Sequence, residues 1–74
     1  MTVYVQECLT YRYADYCARR FMKEHPNDVK RFRRSTSIFV VMNNGDEYHF
    51  VPSFAYEKWQ IGRRGFEEVK QYEG

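Results

Sequence analysis

The feature that most constrains the fold of this chain is a β-hairpin signal between Ser37 and Val51. Two runs of β-branched and aromatic residues, Ile38–Met42 and Tyr48–Val51, flank the sequence Asn-Asn-Gly-Asp. Asn-Gly is the strongest short-range hairpin signal, because a type I′ turn requires positive φ at both of its central residues. The sequence therefore predicts two antiparallel strands joined by a tight turn.

The position of the turn sets which side chains share a face of the hairpin. A two-residue Asn-Gly turn pairs Val41 with Tyr48 and Phe39 with Phe50, and it places all four side chains on one face. The other face is also largely apolar. This pattern predicts that the hairpin occupies the centre of its sheet rather than an edge.

The remaining periodicity predicts two helices. Thr10 is a suitable N-cap for a helix that runs to Glu24 or His25 and stops before a proline. Ser53 is a suitable N-cap for a second, shorter helix over Phe54–Ile61.

Two further segments complete the fold prediction. Thr2–Glu7 alternates as a first strand. Val29–Arg34 fits either a short helical turn, since Val29 and Phe32 lie three residues apart, or an extended lead into the hairpin, and we favour a short helical or irregular piece. Residues 66–72 suit either a helical turn or a closing edge strand. We therefore expect a two-layer α+β domain over residues 1–74, with an antiparallel sheet, a central β-hairpin and two helices on one face. The ferredoxin-like order β-α-β-β-α-β is the leading topology.

Composition limits the location and chemistry of the protein. The N-terminal segment has neither the basic start nor the apolar run of a signal peptide or membrane span, so we expect a cytoplasmic protein. Cys8 and Cys17 are too few for a disulfide scaffold and lack zinc-site spacing, which favours free thiols. A chain of 74 residues is near the lower limit for unaided folding, so a monomer and a homodimer both remain open.

Charge is concentrated in one zone. Residues 19–34 carry seven basic and two acidic side chains, a net charge of +5 within a chain of net charge +2. Such a zone suggests a contact with an acidic partner, although a solvated helix face and loop would show the same pattern.

No motif indicates catalysis. His25 and His49 lack a nucleophile or acid partner at motif spacing, and Asp46 and Glu47 belong to a polar hairpin tip. The four glycines do not form a phosphate-binding loop. The sequence predicts a protein without catalytic activity, cofactor or metal ion.

Two resemblances suggest classes of partner. Val3-Tyr4-Val5 and Tyr48–Val51 resemble the aromatic strand motifs of the RNA-recognition-motif family. That resemblance implies that Tyr4 and either Tyr48 or Phe50 would stack on unpaired bases. A looser nucleic-acid hypothesis assigns the basic run Lys30–Arg34 to the phosphate backbone.

The second resemblance covers residues 36–64, with the pattern Phe-x-Tyr-x-x-Trp-x-x-Gly-Arg-Arg at its end. This segment is similar to small phage and prophage accessory proteins. The resemblance implies a non-catalytic protein that occludes a host protein or ribonucleoprotein, as anti-CRISPR proteins do. Because Trp59 lies four residues after Ala55, we expect the indole to belong to the core.

Interface hot spots favour Arg and Tyr, and this preference defines the predicted partner-binding set. The predicted contact residues are Tyr11, Arg31, Arg33, Arg34, Tyr56, Arg63 and Arg64. The alternative is nucleic-acid binding through the same arginines.

Overall fold

A computed structural model describes residues 1–62 and 68–74. It contains five strands and two helices. In chain order these are β1 Thr2–Cys8, α1 Tyr11–Glu24, β2 Val29–Arg34, β3 Ile38–Met42, β4 Glu47–Pro52, α2 Ser53–Gly62 and β5 Glu68–Gln71. The strands form one sheet in the order β2-β3-β4-β1-β5. The predicted α+β class, with helices packed on a sheet that has the hairpin at its centre, is confirmed.

The sheet is mixed rather than antiparallel. β2, β3 and β4 pair antiparallel, whereas β1 pairs parallel with both β4 and β5. The cause is the segment Val29–Arg34, which forms strand β2 and not the helical or irregular piece that its apolar spacing suggested. This additional strand reverses the direction of the strand that leads into α2, so the ferredoxin-like topology is wrong.

The same additional strand places the two helices on opposite faces of the sheet. The connection from β1 through α1 to β2 crosses the sheet in one direction, and the connection from β4 through α2 to β5 crosses it in the other. Because such crossovers between parallel strands are right-handed, opposite directions require opposite faces. The expectation that both helices share one face is therefore corrected. Below, the sheet surface under α1 is called the α1 face and the opposite surface the α2 face.

The larger core lies on the α1 face. Helix α1 presents a stripe of small and aromatic residues, Ala14, Ala18 and Phe21, all of them buried. They pack against buried side chains of the sheet. These sheet residues are Cys8, Ile38, Val40, Met42 and Phe50.

The smaller core lies on the α2 face. Val5 and Val51, which are fully buried, pack against Ala55 of α2, and Tyr56 and Trp59 pack at the margin. Trp59 is half-buried, in agreement with the expected core position. In the described residues the main contacts of α2 are with β4 and β1, and β3 separates β2 from β4 in the sheet, so the α2 face of β2 lies to one side of the helix.

The hairpin register differs by one residue from the sequence prediction. Ile38 lies opposite Phe50, and Phe39 lies opposite His49. The loop contains three residues, because Met42 N donates to the carbonyl of Asp46 at 2.8 Å. A one-residue shift moves every side chain of one strand to the other face.

The turn chemistry explains this register. Gly45 has φ of +95°, and no other residue of the turn has positive φ. A type I′ turn would require positive φ at Asn44 as well. The loop instead resembles a type I turn followed by a glycine bulge, in which Gly45 N donates to Met42 O at 3.0 Å.

The helix predictions are confirmed in position. Thr10 caps α1, and its hydroxyl oxygen accepts a hydrogen bond from Tyr13 N at 3.0 Å. Residues 68–71 form an edge strand, one of the two alternatives, while residues 66 and 67 of that prediction lie outside the described residues. In the described part of the chain, no helix is both long and apolar enough to cross a membrane.

Candidate partner-binding face

Strand β2 forms one edge of the sheet and carries most of the basic zone. Four of its six residues, Lys30, Arg31, Arg33 and Arg34, are basic and exposed. Within residues 1–62 and 68–74, neither Lys30 nor Arg31 nor Arg33 has a carboxylate partner. These three cations are therefore available to an external ligand.

Two of the unpaired arginines share a surface with apolar side chains. Arg31 lies opposite Val41, and Arg33 lies opposite Phe39, so all four side chains are on the α2 face. Phe39 and Val41 are half-buried, and the main contacts of α2 are with β4 and β1 rather than with their strand, β3. We call this surface the arginine–aromatic face, and its members are Arg31, Arg33, Phe39, Val41, His49, Trp59 and Tyr56.

Ring contacts run without interruption across this face. The Arg33 guanidinium carbon lies 5.9 Å from the centre of the Phe39 ring, and Phe39 meets the edge of His49 at 4.5 Å between ring centres. His49 in turn lies 5.7 Å from Trp59, which stacks on Tyr56 at 5.5 Å. An arginine over an aromatic ring gains a cation–π attraction, so the Phe39 ring favours this position of the Arg33 guanidinium.

Hydrogen bonds fix the ring of His49. Trp59 Nε1–H donates to His49 Nδ1 at 2.8 Å, and His49 Nε2 lies 2.9 Å from Glu47 Oε1. Because Nδ1 accepts, the neutral ring carries its proton on Nε2 and donates it to the carboxylate. His49 is only 5 % exposed. Both of its nitrogens are occupied, so it acts as a structural link between β4 and α2.

Two predicted contact residues lie on the opposite side of the sheet. Arg34 faces α1, where its Nε lies 3.4 Å from Asp15 Oδ1 without hydrogen-bond geometry. Asp15 also pairs with Arg19 Nε at 3.0 Å. Tyr11, in the first turn of α1, packs half-buried against the larger core. Arg34 and Tyr11 are therefore separated from Arg31 and Arg33 by the thickness of the sheet.

The remaining predicted residues belong to α2 and the segment after it. Tyr56 lies on the arginine–aromatic face, and its hydroxyl accepts a hydrogen bond from Gln71 Nε2 at 3.3 Å. Arg63 and Arg64 lie outside the described residues. Of the seven predicted residues, the structure thus places Arg31, Arg33 and Tyr56 on one face of the sheet, with the Phe39, His49 and Trp59 rings between Arg33 and Tyr56.

The RNA-recognition resemblance does not lead to a base-stacking surface. Tyr4 and Tyr48 stack on each other at 4.5 Å, and Tyr48 also packs against Phe21 of α1. Phe50 is fully buried. The family's mechanism requires these aromatics on an uncovered face, whereas here Tyr48 and Phe50 pack against α1 and Tyr4 is stacked on Tyr48.

The two cysteines lie on the α1 side. Both are free thiols, as expected, with Cys8 buried and Cys17 half-buried. Burial, reinforced by the neighbouring Cys17 thiol, raises the pKa of Cys8 to about 12. Cys8 therefore remains a protonated thiol at neutral pH and packs as a small apolar side chain.

A shallow cleft on the α1 side is less suited to a charged partner. Tyr13, Cys17 and Tyr72 lie in its wall together with Arg20. Arg20 Nε is 3.4 Å from Glu24 Oε2, so the cation of this cleft is already paired. On β2, by contrast, three of the four cations have no carboxylate partner among the described residues.

Searches for related proteins give no independent assignment. No family model matches the chain, and neither a curated protein nor a solved structure matches it. Among residues 1–62 and 68–74, no three His, Cys, Asp or Glu side chains are grouped so as to hold a metal ion. The function is therefore argued from the geometry of the arginine–aromatic face.

Sequence reasoning missed the apolar half of this face. With the two-residue turn, Phe39 and Val41 were placed on the same side as Phe50. The true register puts them beside Arg31 and Arg33. Alternation of Arg and Phe in β2 was the available signal, because period-two spacing of cations is typical of a solvent-facing edge strand.

Proposed function

We propose that this chain is a non-catalytic binding protein that occludes an acidic surface of a protein partner with its arginine–aromatic face. The observation that carries the proposal is the pairing of Arg31 and Arg33, both without a carboxylate partner, with half-buried Phe39 and Val41. Arginine and aromatic residues are the side chains most enriched at energetically important interface positions.

Charge and rigidity both support this function. An unpaired guanidinium forms bidentate, charge-assisted hydrogen bonds with a carboxylate, and it does so here without first breaking an internal ion pair. The strand backbone and the Phe39 ring restrict Arg33 before binding, which lowers the entropy lost on complex formation. Glu47 accepts a hydrogen bond from His49 and forms no ion pair with Arg31 or Arg33.

A host or defence protein of the cytoplasm is the partner class that we propose. The resemblance of residues 36–64 to phage and prophage accessory proteins supports this choice, because those proteins act by blocking host machines. The occupied nitrogens of His49 support a role without catalysis. A basic surface that occludes requires an acidic target, so DNA mimicry is not the mechanism.

Nucleic-acid binding is the second candidate, and the unpaired cations of β2 favour it equally on charge alone. The two functions differ in salt dependence. Phosphate binding loses affinity steeply with salt because counterions are released, whereas an interface with aromatic contacts loses less.

Affinity capture from a bacterial lysate tests the proposal. The tagged protein is compared with Arg31→Glu/Arg33→Glu and with the control Arg12→Glu/Lys58→Glu, which changes the net charge equally at exposed positions of α1 and α2. We expect to capture a partner protein in stoichiometric amount, and its capture should survive nuclease treatment and moderate salt. The control variant should capture the same protein, and the Arg31→Glu/Arg33→Glu variant should not. Capture that nuclease abolishes would assign the face to nucleic acid. Retention of the partner by the β2 variant would refute the proposed face.

A further inference from the structure

We infer that the outer edge of β2 binds an acidic, extended segment of the partner as an additional strand of the sheet. The inference rests on the proposed function and specifies how the arginines are used. Among the described strands, β2 has a neighbour, β3, on one side only, so its other side is an edge of the sheet. Strand addition at such an edge is a common mode of peptide recognition.

The backbone register shows which groups the edge offers. Ser35 N donates to Ser37 O at 2.9 Å, in the same register as the Arg33–Phe39 pair. Hydrogen bonding alternates along an antiparallel pair, so Arg33 directs its N–H and C=O groups toward β3. The residues that consequently direct these groups away from the sheet are Phe32 and Arg34.

The side chains of β2 select the sequence of the added strand. A segment lying beside β2 places alternate side chains next to Arg31 and Arg33 on the α2 face, and the intervening side chain next to Phe32 on the α1 face. Acidic residues therefore fit the two positions beside Arg31 and Arg33, and an apolar residue fits the position between them, beside Phe32. A Glu-apolar-Glu segment meets all three requirements in either chain direction.

Charge also determines which occupants the edge rejects. A second copy of β2 would place Lys30, Arg31, Arg33 and Arg34 against the same four cations, and like charges across a strand pair are destabilising. Edge strands are commonly protected from self-association in this way. The protection acts only against basic or neutral strands, and the three cations without carboxylate partners attract an acidic one.

A peptide with a central Glu-Ile-Glu segment tests this inference. Two N-methylated forms of the peptide serve as internal controls, one methylated at the Ile nitrogen and the other at both Glu nitrogens. In an extended peptide these two sets of amides point to opposite edges, and only one edge can face β2. Titration with ¹⁵N-labelled protein is followed by amide hydrogen exchange. We expect exchange at Phe32 and Arg34 to slow about tenfold or more on binding, since these amides become hydrogen-bonded. One methylated form should lose binding while the other retains it.

The remaining outcomes separate this inference from the proposed function. If all three peptides bind the protein equally and none binds the Arg31→Glu/Arg33→Glu variant, strand addition is refuted. The proposed contact of an acidic partner with the arginine–aromatic face would still stand. Absence of binding, or unchanged exchange at Phe32 and Arg34 in a bound state, would also refute strand addition. Displacement of the peptide by a single-stranded oligonucleotide that binds more tightly would assign the edge to nucleic acid.

Discussion

The register of the hairpin can be tested by substitutions of Phe50, which lies at the centre of the larger core. Phe50→Ala would cost about 3–5 kcal/mol, because the ring is fully buried. A domain of 74 residues has roughly 4–11 kcal/mol of stability, so that variant would be close to unfolding. Phe50→Leu keeps an apolar side chain of similar volume and should cost about 1–1.5 kcal/mol, which is measurable in a folded protein.

Matched substitutions at two other phenylalanines give the comparison. Phe39→Leu should cost less than Phe50→Leu, because Phe39 is half-buried whereas Phe50 is fully buried. Phe54→Leu should be nearly neutral, since Phe54 is 74 % exposed. Urea unfolding followed by circular dichroism measures all three free energies of unfolding.

A double-mutant cycle then tests which residues face each other. Ile38→Val and Phe50→Leu should be coupled by about 0.5 kcal/mol or more, because Ile38 lies opposite Phe50. Phe39→Leu and Phe50→Leu lie on opposite faces and should be additive within roughly 0.3–0.5 kcal/mol. Coupling of Phe39 with Phe50 and additivity of Ile38 with Phe50 would refute the register, and with it the position of the arginine–aromatic face.

Two further predictions concern a helix cap and a buried thiol. Thr10→Ala should destabilise the protein by about 1 kcal/mol, because Tyr13 N loses its hydrogen-bond acceptor. Thr36→Ala, in an exposed loop, is the control and should not destabilise it. Thermal unfolding compares the two variants, and equal melting temperatures would contradict the role of Thr10 as a cap. The pKa of the Cys8 thiol is about 8.5 in the unfolded chain and is raised to about 12 in the folded protein. As pH rises, the unfolded state therefore loses this proton first. Stability should therefore be full below about pH 8.5 and fall above it by up to about 1.4 kcal/mol per pH unit, and Cys8→Ala should reduce that slope. An unchanged slope in urea titrations at pH 8–10 would contradict the assigned pKa.

Local signals predicted the elements that depend on local interactions. The α1 helix follows from its cap at Thr10 and its buried stripe, and the hairpin strands follow from their β-branched runs. These features are determined by neighbouring residues, which a single sequence contains. The start of α2 at Ser53 was predictable for the same reason, although the Ser53 hydroxyl donates to Cys8 O.

The topology depended on one segment whose local signal was misleading. Val29 and Phe32 lie three residues apart, which is a helical spacing, but β2 is an edge strand that buries little apolar surface. The strand forms because β3 offers a partner, and pairing of this kind is not visible in β2 alone. The direction of β4, the face of α2 and the mixed sheet all follow from that one strand.

The candidate site was partly predictable for a related reason. Arg31 and Arg33 were identified from charge, which the sequence states directly. Their apolar neighbours, Phe39 and Val41, depended on whether the turn contains two or three residues. Asn-Gly indicates a turn at this place, but it does not distinguish these two loop lengths.

Footprinting of the protein in complex with its captured target tests the central claim most directly. A second exposed surface could bind the partner instead of the arginine–aromatic face. It lies at the end of the molecule where exposed Leu9 and Phe54 follow the paired residues Cys8 and Pro52. Hydrogen exchange and covalent labelling of the free and bound protein distinguish the two. We expect protection at β2 and β3, centred on Arg31 and Arg33. Protection confined to Leu9 and Phe54, with β2 unchanged, would contradict the account.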